Sequence, residues 1–121
     1  GAIDILKQHN VSSISYVEMP GAYELVYGSM KTIQLINGLD GIITLGCVIK
    51  GDTDHDKYIN HAVANGLIAL EAKHNLPIGF GLLTPNTLEQ AKERSGGKHG
   101  NKGAETALAV LQSLSFQVNQ L

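Results

Sequence analysis

Cysteine occurs once in this chain, as Cys47. Neither an intrachain disulfide nor a thiolate metal cluster can form from it. Arginine also occurs once, as Arg94, so the position of that single guanidinium is informative. A positive surplus is missing: nine Lys and Arg stand against eleven Asp and Glu, a net charge of −2. Proteins that hold nucleic acid carry a basic face, and this balance argues against that role. No apolar run reaches the roughly 18 residues of a membrane span, because Gly, Thr, Asn or Lys interrupts each one. No charged segment leads into a short apolar one in the manner of a secretory signal. Repeats, linkers and low-complexity stretches are also missing. The expectation is a cytoplasmic protein with neither a nucleic-acid nor a membrane partner.

What is present suits one packed domain. The chain has 121 residues, of which 43% are hydrophobic and 17% charged, enough apolar surface to build a core. Elements alternate along it. Residues 2–10 and 23–36 carry helical spacing, the second with Val26, Met30, Ile33 and Ile36 near one face. Asn37-Gly38 then offers a left-handed C-cap. Residues 57–75 form the clearest helix, where Ile59, Ala62, Val63, Gly66, Leu67 and Leu70 follow the i, i+3, i+4, i+7 template and Pro77 lies beyond the end. Residues 13–18, 42–49 and 78–83 read as strands. A capping box at Asn86 to Glu89 opens a helix to about Arg94. Residues 95–103 form a glycine-rich loop, and 104–114 a last helix. Strands alternating with helices imply a parallel sheet covered on both faces. Such a unit normally begins with a strand, whereas this chain opens in a helix. The expectation is that an N-terminal strand and its loop precede these residues.

Ligands of open parallel sheets gather at the carboxyl ends of the strands. Lys50-Gly-Asp-Thr-Asp-His55 follows a buried strand and precedes a long helix, a place where free backbone N–H groups and the helix dipole attract anions. His55 stands there as a candidate acid–base group; a surface histidine in an acidic capping turn is the plainer reading. His9 and His74 sit in last helical turns, where a cation is structurally favourable. His61 lies off the apolar stripe as a packing or interface residue. His99 sits in the glycine-rich loop, facing a ligand or water. Arg94-Ser-Gly-Gly-Lys98-His-Gly-Asn-Lys102-Gly103 concentrates cations among glycines without matching a P-loop. A solvated loop is one reading. Gripping a phosphate with a bidentate fork and a point charge is the other. Glu18-Met-Pro-Gly-Ala-Tyr-Glu24 makes a tight turn that lets a ligand approach the backbone. No metal site is expected. His55 and His61 are not an i, i+4 pair, and the nearby aspartates lack the spacing of a calcium loop.

Together these segments resemble the lumazine synthase family of riboflavin biosynthesis. Pro20-Gly-Ala-Tyr-Glu-Leu25 resembles the family's Pro-Gly-Ala-Phe-Glu turn. Gly46-Cys-Val-Ile-Lys-Gly-Asp-Thr-Asp-His55 resembles its Gly-x-Val-Ile-Arg-Gly-Glu-Thr-x-His motif. Gly79-Phe-Gly-Leu-Leu-Thr84, Thr87-Leu-Glu-Gln-Ala91, Glu93-Arg94 and Gly100-Asn-Lys-Gly-Ala-Glu105 resemble its C-terminal signature. The match keeps one order from about residue 1 to residue 114. It implies an α/β fold of three α/β/α layers, with a mostly parallel, flavodoxin-like four-stranded sheet whose first strand is absent here. Residues 1–121 would then be a single, N-terminally incomplete domain.

The resemblance also implies a reaction. A ribityl-substituted diaminouracil condenses with 3,4-dihydroxy-2-butanone 4-phosphate, phosphate and water leave, and the dimethyl lumazine ring closes, with no metal or redox cofactor. By resemblance His55 is the acid–base residue. Arg94 binds the phosphate, aided by Asp52 through its backbone and by Thr53. Lys102 binds the pyrimidine. Ala22, Tyr23 and Glu24 hold the ring edge and ribityl chain, and Val48, Ile49 and Phe80 line the apolar part. The family's sites lie between subunits of a pentamer, with Phe80, Arg94 and Lys102 coming from the neighbour of the subunit that gives His55. Some members build shells from pentamers, and a riboflavin synthase is a further partner to expect. The chain departs from the family after the histidine, with Asp56-Lys57 in place of an aromatic and an acidic residue. A non-catalytic flavin or lumazine binder, a shell-forming protein and a riboflavin synthase on the same architecture are the alternatives. Joint presence of His55, Arg94 and Lys102 favours the condensing enzyme.

Overall fold

Two charge-free apolar segments pair in parallel at the centre of the computed structural model, which describes residues 1–121. They are β1 (Ile42–Cys47) and β2 (Ile78–Leu83), in register from Ile42 opposite Ile78 to Cys47 opposite Leu83. The ladder outlasts the regular strands. Val48 N–H donates to the Leu83 carbonyl at 2.8 Å, and Lys50 N–H to the Pro85 carbonyl at 2.9 Å. Residues 42–49 are thus hydrogen-bonded as expected, with the last two outside regular strand geometry. A parallel pair needs a long crossover, which is α3 (His55–His74). Asn75 ends that helix in the left-handed conformation at φ 47° and donates its N–H to the Glu71 carbonyl.

Alternate residues of β2 face opposite layers, as a pleated strand requires. Ile78 and Leu82 pack with Val63 and Leu67 of α3 to form the buried core, joined at its edge by Leu25, Val26, Ile59 and Leu70. Burial of these side chains, worth about 1.5–3 kcal/mol each, holds α3 on the sheet. α2 (Leu25–Leu35) packs beside α3. On the other face Gly79 and Gly81 present no side chain. A Cβ at Gly79 would lie 2.6 Å from Thr106 Cγ2, and one at Gly81 would lie 2.6 Å from the Thr44 carbonyl oxygen. This lets α5 (Lys102–Leu114) seat closely on the sheet, with α1 (Ala2–Gln8) packed against it. The result is the expected α/β/α layering around a parallel sheet.

Two segments differ from the sequence reading. Residues 13–18 form no ladder. A strand persists only where another strand accepts its backbone groups, and none lies beside this one. Tyr16 and Val17 remain exposed, and the Tyr16 hydroxyl donates to Glu18 Oε1 at 2.6 Å. That bond to a carboxylate pushes the Tyr16 phenol above its ordinary pKa. The glycine-rich loop contains a small antiparallel hairpin, β3 (Ser95–Gly97) and β4 (Gly100–Asn101), between α4 (Leu88–Arg94) and α5. The strands therefore form two separate two-stranded sheets, the parallel β1–β2 pair and this antiparallel hairpin, and not one four-stranded sheet.

A methyl group at position 81 has nowhere to go without moving β1 or α5. Gly81→Ala is expected to lower stability by roughly 2 kcal/mol, seen as a lower urea midpoint with unchanged slope. An unchanged midpoint would contradict the close seating of α5.

Candidate active site

The extended ladder delivers the chain to the turn before α3. Lys50, Gly51, Asp52 and Thr53 are all exposed there. Thr53 Oγ1 accepts the His55 N–H at 3.3 Å, and the Asp54 carbonyl accepts from Lys57 N at 3.0 Å. Asp54 and Lys57 also pair at 3.2 Å on the surface, a contact worth little in water. His55 is thus the first residue of the helix, which starts two residues earlier than the spacing implies. Its ring lines a shallow, mostly apolar cavity of about 400 Å³ with Tyr23, Tyr58, Ile59 and Ala62. Tyr23 belongs to a single 3-10 turn, Ala22–Glu24, which packs against α3 and the end of β1. The Pro20–Glu24 and Lys50–His55 motifs therefore meet in space. Val48 is half-buried against the core, while Ile49 is exposed beside the turn. Asp56 and Asn60 lie one turn apart on the helix, and each has a buried Oδ1 with no partner within the chain.

The second site lies where β2 ends. Thr87, not Asn86, caps α4: its Oγ1 accepts the Gln90 N–H at 3.2 Å. Gln90 Oε1 accepts the Asn86 N–H at 2.8 Å, so the reciprocal pair sits one residue later than the expected box. This fixes Gln90 and, one turn on, Arg94 along one face of the helix. Arg94 is the last residue of α4 and Lys102 the first of α5, with the hairpin between them. Asn101 caps α5 by accepting the Ala104 N–H at 3.0 Å. Arg94 and Lys102 line a polar cavity of about 570 Å³ together with Asn86, Gln90, His99 and Glu105. A cation at a helix C-terminus is favoured by the dipole, but one at an N-terminus is not. The dipole therefore gives the half-buried Lys102 no stabilisation at this position.

The structure does not bring His55 and Arg94 into one cavity of the same chain. Phe80 stands 42% exposed on β2, away from a closed pocket of its own subunit. Cys47 ends β1 with an exposed surface, yet partial burial of its sulfur pushes the thiol above its ordinary pKa and keeps it protonated near neutrality. Sequence reasoning assigned no role to Tyr58, Gln90 and Glu105 and left His99 undecided. Helical spacing carried a signal for three of them. Tyr58 follows His55 by three residues, Glu105 follows Lys102 by three, and Gln90 precedes Arg94 by four.

An α/β fold with an aromatic histidine pocket and a cationic cavity, both at the carboxyl ends of its strands, has the arrangement of a small-molecule enzyme. The family model for 6,7-dimethyl-8-ribityllumazine synthase matches residues 1–117. The chain is 46% identical to the 6,7-dimethyl-8-ribityllumazine synthase of Leuconostoc mesenteroides subsp. mesenteroides, across 96% of the chain and 75% of that protein. It is 41% identical to the same-named protein of Bacteroides fragilis, across 96% of the chain and 82% of the relative. With that of Rhodopirellula baltica it shares 50% identity, over 84% of the chain and 64% of the relative. The chain belongs to the 6,7-dimethyl-8-ribityllumazine synthase family.

Lys102 depends on the first turn of α5, and that turn depends on Asn101. Asn101→Ala is expected to cost about 1 kcal/mol of stability and to speed amide exchange at Gly103 and Ala104. Wild-type exchange in that turn would show that the cap does not hold Lys102 in place.

Proposed function

We propose that the protein condenses 5-amino-6-(D-ribitylamino)uracil with 3,4-dihydroxy-2-butanone 4-phosphate to form 6,7-dimethyl-8-ribityllumazine, releasing phosphate and water. Small-molecule substrates follow from the family. The observation that carries the site assignment is the split geometry. His55 lies in one cavity, and Arg94 and Lys102 flank another. One protomer holds two half-sites, and a neighbouring copy completes each.

The division of labour follows from the groups. Arg94 forms a fork for the phosphate, and the backbone of Asp52 with the Thr53 hydroxyl supports it from the adjoining subunit. Lys102 meets the pyrimidine oxygens. The Ala22–Glu24 turn holds the ring edge and ribityl chain, with Tyr23 against the heterocycle. Val48, Ile49 and the neighbour's Phe80 exclude water around the reacting carbons. Imine formation, phosphate elimination and ring closure each move a proton. His55, at the open mouth of its pocket, takes and returns it.

A homopentamer, or a shell built from pentamers, is the assembly proposed. Only 15 of 121 residues are buried in the isolated chain, so much apolar surface needs cover. On α3, Tyr58, which lines the His55 pocket, is 74% exposed, and Ile68 further along the helix is 64% exposed, apolar surface that a subunit interface would cover. The cytoplasm is the proposed location, in keeping with the unpaired Cys47.

The direct test mixes both substrates with the protein and follows lumazine absorbance and phosphate release. No product at any protein concentration would end this reading. Arg94→Ala should weaken binding of the phosphorylated substrate by about tenfold or more and that of the pyrimidine much less. Equal losses would remove its phosphate role. His55→Ala should lower turnover by roughly 10²-fold or more while leaving pyrimidine binding nearly intact. Subunits carrying His55→Ala and subunits carrying Arg94→Ala, each nearly inactive, should regain activity when unfolded together and co-assembled. A co-assembled mixture as inactive as its parents would refute the shared site.

A further inference from the structure

His99 lines the same cavity as Arg94 and Lys102, and neither the family motif nor the reaction assigns it a part. Its position is set twice over. Its backbone N–H donates to the Glu93 carbonyl at 2.8 Å, pinning the hairpin tip to the end of α4. Its ring Nε2 lies 3.6 Å from Glu93 Oε2, while Lys98 Nζ lies 3.9 Å from Glu93 Oε1. The His99 side chain is 52% exposed, so a ligand in the cavity can reach it. We propose that His99 is a third anion-binding residue of this cavity, one whose proton sets how tightly a dianionic phosphate ester is held.

The charges around it make that proton count. The end of α4 contributes Glu93 and Arg94, the hairpin Lys98, and the start of α5 Lys102 and Glu105. The loop after β2 brings only the neutral Thr84, Pro85 and Asn86. Three cations and two carboxylates leave a single net positive charge, and a proton on His99 doubles it. Imidazole is the side chain whose charge changes between about pH 5 and 8. With His99 neutral, Glu93 has only Lys98 as a cationic partner and opposes an incoming anion. With His99 protonated, Glu93 is shared by two cations and its field at the cavity is offset. Acidification therefore strengthens anion capture, and phosphate leaves more readily as pH rises.

This inference rests on the reading of the cavity as the phosphate site, and sulfate binding separates the two. Sulfate stays a dianion throughout the range, so any pH dependence belongs to the protein. Calorimetry on the assembled protein, with His55→Gln in every sample so that the neighbour's imidazole adds no pH dependence, should show sulfate bound roughly fivefold more tightly at about pH 6 than at about pH 8. His99→Gln should flatten that dependence, binding at both pH values as the His55→Gln parent does at the higher one. Glu93→Gln should bind more tightly than the parent at about pH 8. A merely structural clasp would instead make both variants weaker. A parent without pH dependence, a slope retained in His99→Gln, or weaker binding by Glu93→Gln would each overturn the proposal. Arg94→Ala serves the other question: if it holds sulfate as well as the parent does, the cavity is not the phosphate site at all.

Discussion

The parallel ladder between β1 and β2 is the constraint from which the rest follows. Because it continues through Val48 and Lys50, the ends of both strands reach the same edge of the molecule side by side. Parallel pairing forces the chain to cross over through α3, so a helix N-terminus must open where β1 stops. That places His55. The same pairing carries the chain past the end of β2 as far as Pro85, beyond which α4 departs, and at the end of α4 stands Arg94. Both cavities exist at this edge because the two strands run the same way.

The edge nevertheless carries two cavities with opposite character. One is aromatic, with a group able to move a proton, and the other is polar and net positive. A substrate pair made of a planar heterocycle and a phosphorylated sugar fragment has the same two characters. Under the proposed shared site, dividing them between copies of the chain would make assembly a precondition of chemistry. The small core, centred on Val63, Leu67, Ile78 and Leu82, fits a protomer that relies on its neighbours for burial.

Much of this was readable in the residues. β2 has the bounds that its apolar run implies, and α3 follows the stripe from Ile59 to Leu70. Arg94 and Lys102 flank the glycine-rich segment as their positions in the chain suggest. The failures have physical causes. Asn86 and Thr87 are both able caps, and which one reaches the free N–H of the first turn depends on backbone angles that composition does not encode. Residues 13–18 have strand character, but a strand is a property of two segments. Three of the seven residues of the hairpin at Ser95–Asn101 are glycine, which carries no periodicity to read. Its role at the cavity is supplied by His99, whose partner Glu93 is six residues away and becomes a neighbour only when the hairpin closes. Asp56 remains a departure from the family pattern. Its buried Oδ1, with that of Asn60, lies on the helix that presents His55.

The bare face of β2 has a reach beyond packing. Thr106 fills the space that Gly79 and Gly81 leave open, and its hydroxyl donates to the Lys102 carbonyl at 2.6 Å. The lysine's aim is therefore gauged by volume on the reverse of the sheet, through one threonine, and not by any polar partner at its own ammonium. If Lys102 binds the heterocycle as proposed, drift of a single methyl group along that seam would shift its ammonium while every residue in the cavity stayed the same. On that reading, substrate preference would be inherited in part from positions that never meet the substrate.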